Sequence, residues 1–142
     1  MTIVFALLAA VASAQSAADI PELRKAAERG EAQSQYVLGL AYEFGKGVSV
    51  DPVQAVQWYR KAADQEYPGA QFNLGVAYAN GTGIAKDLAQ AAQWYRKAAN
   101  NGDAAAQYNL GLMYFNGDPL PQDFTEAYKW MTIATLRATA DD

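Results

Sequence analysis

The sequence contains no cysteine and no histidine among its 142 residues. The missing thiols exclude a disulfide framework, thiolate metal sites and a cysteine nucleophile. Without imidazole, the chain also lacks the usual general base near neutral pH and the commonest metal ligand. Enzyme mechanisms that depend on thiols or imidazoles are therefore excluded. The residue types present predict no catalytic residue, no metal and no cofactor.

Positive charge is also scarce, since 11 Lys and Arg against 15 Asp and Glu give a net charge of -4. Such a chain has no overall positive field to attract nucleic acid, so a nucleic-acid partner is not expected. Hydrophobic residues make up 51% and charged residues 18% of the chain, which is typical of a globular rather than a disordered protein.

The first 14 residues differ from the rest of the chain. An apolar run at residues 3–11 is followed by Ala12, Ser13 and Ala14, with Gln15 next. The run is shorter than the ~20 apolar residues of a membrane span, and its position before a small-x-small site indicates a secretory signal peptide. Because no Lys or Arg precedes the run, a buried N-terminal helix is the alternative. We expect cleavage after Ala14, no stable membrane insertion afterwards, and a periplasmic or secreted bacterial protein.

The remaining sequence is an internal repeat with a period of 36 residues. The hexapeptide WYRKAA occurs at residues 58–63 and again at 94–99, and its last four residues also occur at 24–27. Several other positions share the period without a gap, namely Leu38, Leu74 and Leu110; Tyr42, Tyr78 and Tyr114; Gly45, Gly81 and Gly117; Asp51, Asp87 and Asp123; and Trp58, Trp94 and Trp130. This pattern is typical of a repeat array. It predicts a leading half-repeat helix at 15–33 and repeats at 34–69, 70–105 and 106–142.

Each repeat is predicted to hold two helices joined by a tight turn. The first helix shows helical spacing at Gln35, Leu38, Gly39 and Tyr42. The periodic glycine then ends this helix, and the periodic aspartate caps the second helix, which again shows helical spacing at Ala55, Trp58, Tyr59 and Ala62. Stacked hairpins of this kind predict an all-α fold, a right-handed α-solenoid.

The repeat resembles the Sel-one-like repeat (SLR) family, which is related to the tetratricopeptide repeat. The resemblance rests on the string AQYNLGLMYFNG at residues 106–117, the glycine-rich turn and the A-x-x-W-Y-x-K-A-A pattern of the second helix. The third repeat departs from it at Pro119 and Met131, which replace a turn glycine and a tyrosine. The resemblance implies a protein-interaction scaffold, often exported in bacteria, rather than an enzyme.

The resemblance also implies a binding surface. In the tetratricopeptide repeat the inner face of the first helix lines a concave groove, and alignment of the periodic positions places five residues of each repeat there. They are Gln33, Tyr36, Leu40, Glu43 and Phe44; Gly69, Phe72, Val76, Ala79 and Asn80; and Ala105, Tyr108, Leu112, Phe115 and Asn116. An apolar row with polar neighbours suits an extended peptide or a partner helix. The aromatic row of Tyr36, Phe72 and Tyr108 has an alternative role in packing between repeats.

Three other periodic features have competing interpretations. Asp51 and its equivalents fit helix caps better than a metal site. The glycines at 81 and 83 fit a solenoid turn better than a phosphate cradle, because no strand precedes them. A third feature is a ladder of basic pairs, which is either a solvated outer face that covers aromatic rings or a binding surface for an acidic partner. The pairs are Arg24 and Lys25, Arg60 and Lys61, and Arg96 and Lys97.

The sequence thus predicts an exported scaffold that binds a protein or peptide partner, with two alternatives. One is a cell-wall- or carbohydrate-active enzyme that uses two carboxylates about 5–10 Å apart. The other is an accessory unit that docks end-on to a larger solenoid. In the last helix Ile133 replaces a periodic lysine, with Met131 and Leu136 nearby. Either these side chains fold back on the third repeat, or some stay exposed and support weak self-association.

Overall fold

The computed structural model describes residues 19–140, and in that range it contains seven helices and no strand. The helices are α1 (Ile20–Glu28), α2 (Ala32–Phe44), α3 (Pro52–Ala63), α4 (Pro68–Asn80), α5 (Leu88–Asn100), α6 (Ala104–Asn116) and α7 (Phe124–Ala140). Each packs mainly against its neighbours in the chain, as in a solenoid. The predicted all-α solenoid of stacked hairpins is therefore confirmed. The predicted signal peptide lies outside the described residues.

The first helices of the three repeats are α2, α4 and α6, and the second helices are α3, α5 and α7. The first helices begin at residues 32, 68 and 104. Each starts directly after its N-cap residue, which is Glu31, Tyr67 or Asp103. The leading helix α1 lies one period before α3 and so corresponds to a second helix.

Glycine and aspartate form the turn within each repeat, as predicted. The residues that end α2, α4 and α6 have φ values of 66°, 71° and 73°, and they are Gly45, Gly81 and Gly117. Glycine adopts this left-handed conformation without strain. Asp51 and Asp87 each accept, at 3.0 Å, the backbone N–H three residues later, and Asp123 caps α7 in the same way. The periodic aspartates are therefore helix caps.

The core forms where the two helices of a repeat meet. A Cβ atom at Gly39 would lie 2.5 Å from the ring of Tyr59, so the absence of a side chain lets α2 and α3 approach. Gly75 and Tyr95 repeat this contact between α4 and α5. Both tyrosines and the tryptophans that precede them are buried. The Trp-Tyr pairs of the first two repeats are therefore core residues.

A row of buried glutamines joins consecutive repeats. The side-chain Nε2 atoms of Gln35, Gln71 and Gln107 donate to the backbone carbonyls of residues 27, 63 and 99, at 3.0, 3.3 and 3.1 Å. Each bond links a first helix to the helix before it. These polar side chains are buried, so the bonds offset the cost of removing them from water.

The side-chain oxygen of each glutamine is bonded in the first two repeats but not in the last. The Oε1 atom of Gln71 accepts a hydrogen bond from the side chain of Asn101 at 3.0 Å. The Oε1 atom of Gln35 accepts one from the side chain of Gln65, which stands one period before Asn101. One period after Asn101 stands Arg137, which donates instead to the carbonyl of Gly102 at 2.6 Å. Within the described chain the Oε1 atom of Gln107 is buried and unpaired.

Candidate interaction surface

The first helices carry almost no charge. None of the three contains Lys or Arg, and Glu43 is their single acidic residue. The basic residues of the repeats lie on the second helices and in the turns. The surface formed by the first helices is therefore free of basic side chains and weakly acidic.

In the first repeat, two of the predicted surface residues are buried. Tyr36 is only 4% exposed, and Leu40 is buried as well. The ring of Tyr36 packs on the rings of Tyr59 and Tyr67, with centroid distances of 5.9 and 5.0 Å. The prediction that Tyr36 and Leu40 meet a partner is wrong, because the second repeat covers both of them. The other first-repeat positions, Gln33, Glu43 and Phe44, are exposed.

The same positions become more accessible along the solenoid. In the second repeat Gly69, Phe72, Val76 and Ala79 are half-buried and Asn80 is exposed. In the third repeat Leu112 is half-buried, Ala105 and Asn116 are exposed, and Tyr108 and Phe115 are both 51% exposed. The row of aromatic residues therefore changes from core to surface between the first and the third repeat.

A cavity of about 130 Å³ opens between the first and second repeats. Its lining residues are Glu43, Pro52, Ala55, Val56, Tyr59, Asn73, Val76, Ala77, Asn80 and Thr82. The sequence predicted Glu43, Val76 and Asn80 as surface residues, but it did not predict the participation of Pro52, Asn73 or Thr82. Because the lining comes from two adjacent repeats, the period within one repeat carries no signal for it.

The polar side of this cavity includes Tyr59 and Glu43, and Tyr36 packs against the ring of Tyr59. The hydroxyl of Tyr59 donates to Glu43. Burial raises the pKa of Tyr59 well above its ordinary value, and the hydrogen bond to Glu43 and the charge of Glu43 raise it further. Burial is also the main cause of the raised pKa of Tyr36. Both phenols therefore stay protonated near neutral pH, and Tyr59 acts as a neutral donor.

Most side chains of the basic ladder contact aromatic side chains. The guanidinium groups of Arg24, Arg60 and Arg96 donate to tyrosine hydroxyls at 2.7, 2.8 and 2.6 Å, each tyrosine lying in the following first helix. Lys61 and Lys97 lie 4.0 and 4.1 Å from the ring centroids of the tryptophans three residues before them. These contacts favour the interpretation that the ladder covers aromatic rings on the outer face.

The sequence left open whether the apolar side chains of the last helix fold back on the third repeat or stay exposed, and the structure shows both. Met131 packs against Gly111, and Ile133 is half-buried, whereas Leu136 is 64% exposed. Tyr128, which the sequence analysis did not single out, is 75% exposed. Its equivalents one and two periods earlier, Ala92 and Val56, are buried by the repeat that follows each of them.

Residues 19–140 contain no group of three or more acidic side chains close enough to hold a metal ion. In the same range, every helix is too short or too polar to cross a lipid bilayer.

Comparison with known proteins gives the family. The Sel1 repeat model matches residues 32–67, 68–103 and 104–137. A protective antigen of uropathogenic Escherichia coli strains, which displays an SLR fold, is 42% identical over 83% of this chain, with a TM-score of 0.81. A Sel1 repeat protein from Oxalobacter formigenes is 33% identical over 96% of the chain, with a TM-score of 0.85. Helicobacter pylori cysteine-rich protein B is 25% identical over 83%, with a TM-score of 0.65.

The chain spans 25%, 58% and 84% of these three proteins, in the same order. Among curated proteins, none matches the sequence significantly. Sel1 repeat proteins are typically non-enzymatic scaffolds that bind protein partners. The period, the glycine turns, the buried Trp-Tyr pairs and the three matched segments lead to one conclusion: this chain belongs to the Sel1 repeat family.

Proposed function

We propose that the chain is an exported scaffold, without catalytic activity of its own, that binds a protein or peptide along its first helices. The observation that carries this proposal is the exposed apolar row on α6. Tyr108, Leu112 and Phe115 are spaced i, i+4 and i+7, so they share one face of the helix, and two of them are half exposed. Exposed apolar patches of this kind mark interaction sites.

The proposed surface is the predicted one without its two buried members. It runs from Phe44 and the cavity beside Glu43, past Phe72 and Val76, to Phe115 on the third repeat. Phe115 also contacts Phe124 edge-to-face, with a centroid distance of 5.5 Å, which extends the apolar patch onto α7. A mixed apolar and amide-bearing row of this length suits an extended peptide or one face of a helix.

A peptide display library tests this surface. The double variant Phe115→Ala with Asn116→Ala should lose capture of peptides selected by the unchanged protein, while its circular dichroism and melting stay the same. A matched control is Gln57→Ala with Gln93→Ala, which changes two exposed residues on second helices. Selected peptides that bind the groove variant as well as the unchanged protein would rule out this surface.

Export is a separate part of the proposal. It rests on the apolar run and the small residues that precede Gln15. Intact-mass measurement of the protein purified from its native cell should give a chain that begins at Gln15. A mass that includes residue 1 would refute both the signal peptide and the periplasmic or secreted location.

A second candidate role is end-on association through α7, either with another copy or with a larger solenoid. It is favoured by the exposure of Tyr128 and Leu136 on this helix. Two such side chains contribute only ~3–6 kcal/mol when buried, and association has its own costs, so we expect weak dimerisation. Sedimentation over a concentration range should show it, and Tyr128→Lys with Leu136→Lys should abolish it. A dimer that persists in this folded variant would place the contact elsewhere.

A further inference from the structure

The cavity between the first and second repeats has an apolar wall and a single charge. Among its lining residues, Val56, Val76 and Ala77 supply aliphatic surface, and Glu43 is the only ionisable carboxyl group. Asn73, Asn80 and Thr82 add side-chain oxygens. A ligand that fits must therefore be aliphatic along its length and cationic at its tip, which describes the side chains of lysine and arginine.

The carboxylate at the rim is held in place from below. The buried hydroxyl of Tyr59 donates to Oε2 of Glu43. An ionised carboxylate has about four acceptor sites, so this bond orients the group and leaves capacity for a cationic donor. The side chain of Glu43 is on the exposed side of α2, where an incoming ligand can reach it.

The cavity occurs once in this form, because its charge is not periodic. The positions equivalent to Glu43 are Ala79 and Phe115. The first helices contain no Lys or Arg, so no side chain of the groove itself competes for this carboxylate. The size is also limiting, since about 130 Å³ is close to the ~150 Å³ cavity that accepts one benzene molecule.

We propose that this cavity receives the side chain of one lysine or arginine of an extended peptide, with the stem against Val56 and Val76 and the cationic group on Glu43. The inference rests on the proposed function, since it names the residue that such a peptide carries at the first repeat. It also sets the orientation of the bound peptide, because the peptide's basic residue lies at the first repeat and its apolar residues lie at the third.

The probes for this inference are small capped residues that do not need the rest of the groove. Acetyl-arginine methylamide and acetyl-lysine methylamide are titrated against the full chain, with acetyl-norleucine methylamide as the uncharged control. We expect both basic probes to shift the backbone resonances of Val76, Ala77 and Asn80 more strongly than the norleucine probe. The preference should weaken as salt is raised, because the contact is partly exposed.

The decisive variant is Glu43→Gln, which keeps an acceptor for Tyr59 and removes the charge. It should reduce binding of the two basic probes about threefold to tenfold, as expected for one charge-assisted contact at a partly exposed site, and leave the norleucine probe unchanged. Glu28→Gln, at an exposed acid of α1, is the matched control and should have no effect.

Two outcomes would overturn the inference: equal shifts by arginine and norleucine probes, or unchanged arginine binding by a folded Glu43→Gln variant. Neither outcome touches the peptide capture that depends on Phe115, so the proposed function can survive the loss of this inference. Conversely, a basic-probe preference that requires Glu43 would stand even if no library peptide bound the third repeat.

Discussion

The first and third repeats have the same order of helices and turns, but equivalent side chains differ in exposure. Tyr36 and Tyr108 occupy equivalent positions, yet they are 4% and 51% exposed. On the second helices, Val56 is 6% exposed and Tyr128 is 75% exposed. The difference arises because the second repeat covers the first, whereas no described residue covers the outer side of the third. At these two positions, place in the array rather than place in the repeat decides whether a side chain is core or surface.

The polar contacts of the third repeat also differ from those of the earlier repeats. Gln71 is bonded at both ends of its amide group, while Gln107 is bonded at one end only. The ladder of arginines also stops, since Thr132 stands one period after Arg96. The glutamine contacts are therefore complete at the first two junctions and incomplete at the third. Four pairs of substitutions test how far this difference reaches.

The largest effect is expected at the periodic tryptophan. Trp94→Ala should lower the free energy of unfolding by ~3–5 kcal/mol, because it empties a buried site. Trp130→Ala should lower it by less than half as much, since Trp130 is only half-buried. Urea unfolding followed by circular dichroism gives both values. Equal losses would show that the third repeat is packed as tightly as the second.

A smaller difference is expected for the aromatic row. Tyr36→Ala should cost ~3 kcal/mol, because the ring is buried between repeats. Tyr108→Ala should cost less than about 1 kcal/mol, since exposed substitutions have little effect. The two variants are compared in the same unfolding experiment. If Tyr108→Ala were as destabilising as Tyr36→Ala, the exposed row would be structural and the proposed surface would lose its main support.

The buried glutamines should differ next. Gln71→Leu removes two hydrogen bonds, one to the carbonyl of Ala63 and one from the amide of Asn101, at about 0.5–1.5 kcal/mol for each. Gln107→Leu removes one hydrogen bond, to the carbonyl of Ala99, together with an oxygen that has no partner, so it should cost clearly less. Thermal melts of the two variants check the order. A larger loss for Gln107→Leu would mean that its Oε1 atom is satisfied in solution.

The smallest difference is expected at the helix-contact glycines. Gly39→Ala places a Cβ atom 2.5 Å from the ring of Tyr59, and overpacking costs ~1–3 kcal/mol, partly offset by the ~1 kcal/mol that alanine gains over glycine in a helix. Gly111→Ala meets the side chain of Met131 at 2.8 Å and the carbonyl of Ala127 at 3.2 Å, and it should cost less because the methionine chain is more flexible than a tyrosine ring. Differential scanning calorimetry resolves the two. A stabilised Gly39→Ala variant would contradict the close approach of α2 and α3.

Most of the fold could be predicted from local chemistry. The 36-residue period, the glycines that end the first helices and the aspartates that cap the second helices all act over a few residues, and each was confirmed. The third repeat departs at Met131 in the way its sequence indicates, with a thioether in place of a phenol against Gly111.

The accessibility of the candidate surface depends on packing between repeats, which the sequence did not reveal. Periodicity determined which residues face the inner side of each first helix, since a helix places residues i, i+4 and i+7 on one face. It did not determine which of them are accessible: Tyr36 and Leu40 are covered by the second repeat, and the cavity beside Glu43 is lined by residues of two repeats. Helix formation and capping are local interactions, so the sequence alone determined them. Burial depends on the neighbouring repeat that packs on a side chain, and only the tertiary structure decided it.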